Sequence, residues 1–62
     1  MQDNTLLTSA EFAKEIGVSV VTLARWEETG ILKPYLKTPT GRRKYIYAQV
    51  KEYFEAYQIK EG

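Results

Sequence analysis

The chain has 62 residues, with nine Lys and Arg, eight Asp and Glu, and no Cys or His. A chain of this length forms one domain that buries only about 60% of the surface its unfolded form exposes, which excludes a large substrate cavity. Without Cys or His there is no disulfide, thiolate metal site, redox switch or histidine base, so we predict a binding module without a cofactor, not an enzyme.

Charge is distributed unevenly although the formal net charge is only +1. Residues 33–44 contain five cations and no acid, whereas the rest of the chain holds four cations against eight acids.

No signal for a membrane or for export is found in the sequence. No apolar run approaches the roughly 20 residues of a membrane span, and the N-terminus lacks the layout of a signal peptide. We therefore predict a cytoplasmic protein with one domain over residues 1–62, of which residues 1–5 form a flexible tail.

The first predicted helix begins at Thr8 and ends at Gly17. Thr8 and Glu11 have the spacing of a capping box, in which each side chain accepts a hydrogen bond from the other residue's amide. Leu7 and Phe12 lie at the positions of a hydrophobic staple. Gly17 suits the left-handed conformation that follows many helices.

The second predicted helix repeats this pattern directly after a three-residue turn. Ser19 is its N-cap and Gly30 its C-terminal glycine. Trp26 and Ile31 have the spacing of the apolar contact that accompanies a Schellman ending. Two helices this short are marginal alone, so each must be stabilised by packing against the other.

A hairpin and a third helix are predicted in the remaining chain. Aromatic and branched residues in 31–37 and 42–47 flank a turn with Pro and Gly, which indicates two short strands. A helical stripe follows, and we expect it to close the core together with Trp26. Its members are Val50, Tyr53, Phe54 and Tyr57.

Two short helices joined by a tight turn that contains Gly indicate a helix-turn-helix. Ala13 supplies the small side chain that close helix crossing needs. The alternative is a plain helical hairpin in which Ala13 and Gly17 serve packing and capping alone. The basic hairpin favours DNA binding as the wing of a winged helix-turn-helix. Its own alternative is a solvated hairpin whose charges protect an edge strand from aggregation.

The stretch from Leu7 to Val50 resembles the DNA-binding domain of the MerR-type family and its small relatives, which include short excisionase-like proteins. The resemblance covers about two-thirds of the chain. The matching residues, in the order of the family, are Ala13, Gly17-Val18-Ser19, Thr22-Leu23, Arg25-Trp26-Glu27, Gly30-Ile31-Leu32-Lys33-Pro34, Gly41-Arg42-Arg43-Lys44-Tyr45 and Val50.

The resemblance implies a mainly α fold with a small β-hairpin: three helices and a two-stranded wing. It implies that the helix starting at Val20 is the recognition helix, with Arg25 on a guanine edge or a phosphate, or paired instead with Glu28. The Tyr45 ring is expected to pack under the wing while its hydroxyl meets a phosphate. The candidate DNA-binding residues are Thr8, Ser19, Val20, Val21, Thr22, Arg25, Lys37, Thr40, Arg42, Arg43, Lys44 and Tyr45.

The chain departs from the family pattern at several positions. Ala24 stands where many relatives carry Arg, which removes one expected DNA contact. Ile46 stands where Ser or Thr often caps the next helix, so that helix start is expected to be frayed or built differently. Glu27 and Glu28 would repel phosphate and are expected to point away from DNA.

Double-stranded DNA is the expected partner, bound in a sequence-specific manner. The resemblance fits a small transcriptional regulator or a recombination directionality factor, with RNA polymerase or an integrase as a second partner and cooperative self-association on tandem sites. Two alternatives remain open. One is a protein-interaction adaptor that uses the basic hairpin, and the other is the DNA-binding portion of a longer recombinase.

Overall fold

Three helices and three short strands make up residues 2–57, the part of the chain that the computed structural model describes. The elements, in chain order, are β1 (Leu6–Thr8), α1 (Ser9–Ile16), α2 (Val20–Thr29), β2 (Leu36–Lys37), β3 (Arg43–Ile46) and α3 (Tyr47–Ala56). This confirms the predicted winged helix-turn-helix, mainly α with a small hairpin. Within the described residues, no helix is long and apolar enough to cross a membrane.

Helix α1 begins and ends as its sequence predicts. The Thr8 hydroxyl accepts a hydrogen bond from the Glu11 amide at 3.1 Å, and Glu11 Oε1 accepts one from the Thr8 amide at 2.9 Å. The helix ends at Gly17, whose φ of 79° is left-handed. A side chain at this position would be strained, so the glycine stops the helix and starts the turn toward α2.

Helix α2 follows the same local rules. The Ser19 hydroxyl accepts a hydrogen bond from the Thr22 amide at 3.1 Å. At the other end the amide of Ile31 donates to the Trp26 carbonyl at 2.8 Å, past a left-handed Gly30. This is the 6→1 hydrogen bond of a Schellman ending, as the sequence predicts.

A three-stranded antiparallel sheet replaces the two-stranded hairpin expected from the sequence. Strand β3 lies in the middle, paired with β1 on one side and β2 on the other. Strand β1 lies in a segment that was predicted only as the start of a helix. The expected strand in residues 31–37 is shorter than predicted, because only Leu36 and Lys37 pair with β3.

The N-terminal segment stabilises the start of α3. The amides of Tyr47 and Ala48 donate to the carbonyls of Thr5 and Asp3 at 3.0 and 2.8 Å, and Gln49 Oε1 accepts from the Ile46 amide at 3.0 Å. These bonds satisfy amides at the start of α3, among them that of Ala48, which a Ser or Thr cap at position 46 could serve. Residues 2–5 of the predicted flexible tail thus include two carbonyls, of Asp3 and Thr5, that accept bonds from α3, while Met1 lies outside the described residues.

The core lies between the sheet and the three helices. It consists of Leu7, Phe12, Ala13, Ile16, Leu23, Tyr45 and Val50. Trp26 and Tyr53 pack against its edge with ring centroids 5.9 Å apart. The predicted stripe on α3 is only half right, because Val50 and Tyr53 face the core whereas Phe54 and Tyr57 are 49% and 57% exposed.

Tyr45 and Phe12 form the centre of this core. Both side chains are fully buried, and their rings stack with centroids 4.3 Å apart and planes 8° from parallel. The stack joins the middle strand of the sheet to α1. The Tyr45 hydroxyl is buried without a hydrogen-bond partner among the described residues, and burial raises its pKa.

We expect Tyr45→Phe to leave the free energy of unfolding unchanged or to raise it by about 1 kcal/mol. The substitution keeps the stacked ring and removes a buried polar group whose desolvation is not compensated. Urea unfolding followed by Trp26 fluorescence measures the change. Tyr45→Ala is the contrast, since loss of the ring should cost about 3–5 kcal/mol. A loss of more than about 1 kcal/mol in Tyr45→Phe would show that the hydroxyl is bonded.

The capping box should make the stability of the domain depend on pH in the acid range. Hydrogen bonds from the Thr8 amide and hydroxyl lower the pKa of Glu11. A lowered pKa stabilises the fold above the ordinary pKa of the carboxyl, and this contribution is lost as the pH falls through the lowered value. We expect Glu11→Gln to weaken the drop in urea midpoint between about pH 5 and pH 3. Glu15→Gln, on the same helix, should keep the wild-type drop, and equal curves for both variants would contradict this role of Glu11.

Candidate nucleic-acid interface

The start of α2 carries two hydroxyls that are already engaged with each other. Ser19 Oγ lies 3.0 Å from Thr22 Oγ1 and also accepts a hydrogen bond from the Thr22 amide. Ser19 therefore acts first as the N-cap of α2. Both side chains lie at the surface of the domain, where each hydroxyl keeps hydrogen-bonding capacity for an outside group.

The outer face of α2 is apolar near its start and charged farther along. Val20 and Val21 are 47% and 63% exposed, so the start of the helix presents apolar surface to the outside. Arg25 is exposed four residues after Val21 and therefore lies on the same face. The alternative pairing of Arg25 with Glu28 is not observed, since Arg25 forms no salt bridge within residues 2–57.

The tip of the wing is closed by hydrogen bonds. The wing comprises β2, the turn 38–42 and β3. The Thr38 amide donates to the Arg42 carbonyl at 2.8 Å, while the Thr38 hydroxyl accepts the Arg42 amide at 3.1 Å. Thr40 Oγ1 lies 3.0 Å from Thr38 Oγ1, and Gly41 adopts a φ of 85° that allows the turn. Arg42 thus projects from an ordered turn.

An open groove of about 340 Å³ lies where the starts of both helices meet the wing. Residues 8–10 line it from the start of α1, Val20 from the start of α2, and residues 41–44 from the wing. We call it the basic groove because Arg42, Arg43 and Lys44 all belong to it. The partial positive charge at the start of α1 adds to these cations.

The cations of the wing fall into two groups. Arg43 Nε donates to Glu27 Oε1, and Lys37 Nζ lies 3.8 Å from Glu27 Oε2. Arg42 and Lys44 form no salt bridge within residues 2–57. The charge of Lys44 contributes, after the capping bonds, to the lowered pKa of Glu11. Glu27 is expected to point away from DNA. In the structure its carboxylate points to the wing, where it contacts Lys37 and Arg43.

Tyr45 cannot reach DNA through its side chain. It was predicted to meet a phosphate through its hydroxyl, but both ring and hydroxyl are buried beneath the sheet. The ring does pack under the wing, as expected. A hydroxyl that is inaccessible to water is also inaccessible to a phosphate, so Tyr45 leaves the set of candidate contacts and belongs to the core.

The structure brings five of the twelve predicted residues into the basic groove: Thr8, Val20, Arg42, Arg43 and Lys44. Val21, Thr22 and Arg25 lie beyond it along α2, with Ser19 at the helix start. Lys37 is on the edge strand β2, and Thr40 is at the wing tip. Sequence reasoning missed Ser9 and Ala10 in the groove and the role of Glu27 as the partner of two wing cations. The excess of cations on both sides of the turn 38–42 could have indicated that an acid pairs with some of them.

Comparison with known proteins agrees with the fold. A scan of protein families matches residues 8–45 to the family described as MerR family regulatory protein. The search of curated proteins gave no match. The matched stretch includes both helices of the helix-turn-helix and most of the wing. Domains of this type are DNA-binding regulators of transcription and not enzymes. Since the match covers more than half of the chain, the protein belongs to the MerR family of helix-turn-helix regulators.

Proposed function

We propose that this protein binds double-stranded DNA in a sequence-specific manner, with α2 in the major groove and the wing on the neighbouring backbone or minor groove. The observation that carries the proposal is the basic groove. It places the start of α2 beside Arg42 and Lys44 of the wing, two cations without a salt bridge among the described residues. Base-reading and phosphate-binding groups are thus adjacent, as DNA recognition requires.

Base readout falls to the exposed face of α2. The methyl groups of Val20 and Val21 are free to contact a thymine methyl, and the Thr22 hydroxyl offers a hydrogen bond to a base or phosphate. Arg25, one turn farther along, reaches a guanine edge or a phosphate. The first turns of recognition helices commonly supply the base contacts, which agrees with exposed valines at the start of α2.

Phosphate binding falls to the basic groove and the wing. Arg42 and Lys44 supply the charges, and the start of α1 adds the partial positive charge of a helix N-terminus. The Thr8 hydroxyl lines the basic groove and donates its proton to a phosphate oxygen in place of the Glu11 carboxylate. At the wing tip, the Thr40 hydroxyl is a second donor of a hydrogen bond to a phosphate oxygen.

The protein acts by occupancy of its site. A single copy offers few base contacts, so useful specificity calls for several copies on tandem sites, with cooperative self-association. In transcription control the second protein on the DNA is RNA polymerase, and in recombination control it is an integrase. Both roles use the same surface in the cytoplasm. The same DNA contacts would also suit the DNA-binding portion of a longer recombinase.

Titration with random-sequence duplex at several salt concentrations tests the proposal. If Arg25, Arg42 and Lys44 each neutralise a phosphate, the logarithm of the binding constant should fall with the logarithm of salt concentration with a slope near −3, at roughly −0.9 per phosphate. Absence of binding even at low salt would contradict DNA binding and would favour an adaptor that docks an acidic protein through the wing.

The role of Arg25 is tested by substitution with Ala. If Arg25 reads a base, Arg25→Ala should cost about 1–3 kcal/mol on a site selected from a random library and much less on random duplex. An equal loss on both duplexes would assign Arg25 to a phosphate. Lys14→Ala is the matched control, because it removes an exposed cation of α1 that is outside the residues lining the basic groove. It should leave both affinities nearly unchanged.

A further inference from the structure

Two of the five cations in residues 33–44 share one acid on α2. Lys37 and Arg43 are direct partners in the register of β2 and β3. Glu27 approaches both, with Oε1 accepting from Arg43 Nε and Oε2 lying 3.8 Å from Lys37 Nζ. The Glu27 side chain is only 21% exposed, so this cluster is partly shielded from water. Among the described residues, every salt bridge between α2 and the wing involves Glu27.

Without Glu27, the charges of the strand pair next to the wing tip would repel each other. Like charges directly opposite each other on paired strands repel. A carboxylate between Lys37 and Arg43 replaces that repulsion with two attractions. Because the carboxylate belongs to α2, the same contact fixes the position of the wing relative to the recognition helix.

Arg43 and Lys37 are therefore poor phosphate ligands. A phosphate that recruited either cation would stand beside the Glu27 carboxylate, which repels it. Arg42 and Lys44 carry no such cost, since neither forms a salt bridge within residues 2–57. Arg43 and Lys44 are neighbours on β3 and therefore point to opposite faces of the sheet, and Arg42 precedes that strand in the turn.

We propose that Glu27 is a positioning residue that sets the angle of the wing against α2 through Arg43 and Lys37, while Arg42 and Lys44 alone supply the phosphate-binding charge of the wing. This rests on the proposed DNA binding and assigns separate roles within it. The Glu27 carboxylate favours DNA binding although it carries the same sign of charge as the phosphates.

Comparison of Glu27→Gln with Glu28→Gln tests the positioning role. Both variants remove one negative charge at adjacent positions of α2, and Glu28 forms no salt bridge within residues 2–57. Glu28→Gln should tighten DNA binding or leave it unchanged, because a charge that repels phosphate is lost. Glu27→Gln should weaken binding by about three- to tenfold, because the wing loses its orientation. Tighter binding by Glu27→Gln would overturn the proposal.

The salt dependence of binding separates phosphate ligands from positioning residues. Arg42→Gln and Lys44→Gln should each reduce the magnitude of the log–log slope by about 0.9. Arg43→Gln should weaken binding but leave the slope within about 0.3 of the wild type. A slope change in Arg43→Gln as large as that in Arg42→Gln would make Arg43 a phosphate ligand and would overturn the proposal.

A charge exchange covers the case in which a single variant fails to fold. The double variant Glu27→Arg with Arg43→Glu restores an ion pair between α2 and the wing, and the acid at position 43 still faces Lys37 across the strands. Its affinity should return to within about threefold of the wild type, whereas each single exchange should lose about tenfold or more. No recovery in a folded double variant overturns the proposal. Failure of the wild type to bind any duplex would instead reject DNA binding itself.

Discussion

The stack of Tyr45 on Phe12 is the contact on which the arrangement of the domain depends. Both rings are fully buried, with centroids 4.3 Å apart. Tyr45 belongs to β3, which pairs with both other strands, and Phe12 belongs to the first helix of the helix-turn-helix. Their contact joins the sheet to α1, the helix that packs against α2. In a domain this small, with few core residues, one such stack is a large share of the packing.

The charges of the domain are unevenly distributed over this fold. A net charge of +1 gives no indication of a nucleic-acid partner, but the cations are concentrated in the wing and its flanks. Glu27 pairs with two of them, Lys37 and Arg43, next to the wing tip. Arg42 and Lys44, which form no salt bridge within residues 2–57, line the groove at the start of α2. One acid thus divides the wing cations into two that pair with α2 and two that we propose bind DNA. The overall charge balance and the local basic surface are therefore compatible.

What the sequence predicted well is what short-range chemistry determines. The caps at Thr8 and Ser19 and the helix-ending glycines involve partners within a few residues, and the structure has them as predicted. The features that were missed depend on partners far along the chain. Strand β1 pairs with β3, and the carbonyls of Thr5 and Asp3 accept hydrogen bonds from the first two amides of α3. The burial of the Tyr45 hydroxyl likewise follows from packing of the sheet on α1, which a local pattern does not contain.

The measurement that tests DNA binding by this surface most directly is a map of NMR shift changes on addition of a short duplex. The largest changes should fall on residues 8–10, 20–25 and 40–44, where the starts of α1 and α2 and the tip of the wing meet. Changes centred instead on the exposed rings of Phe54 and Tyr57, with the basic groove unaffected, would contradict the account.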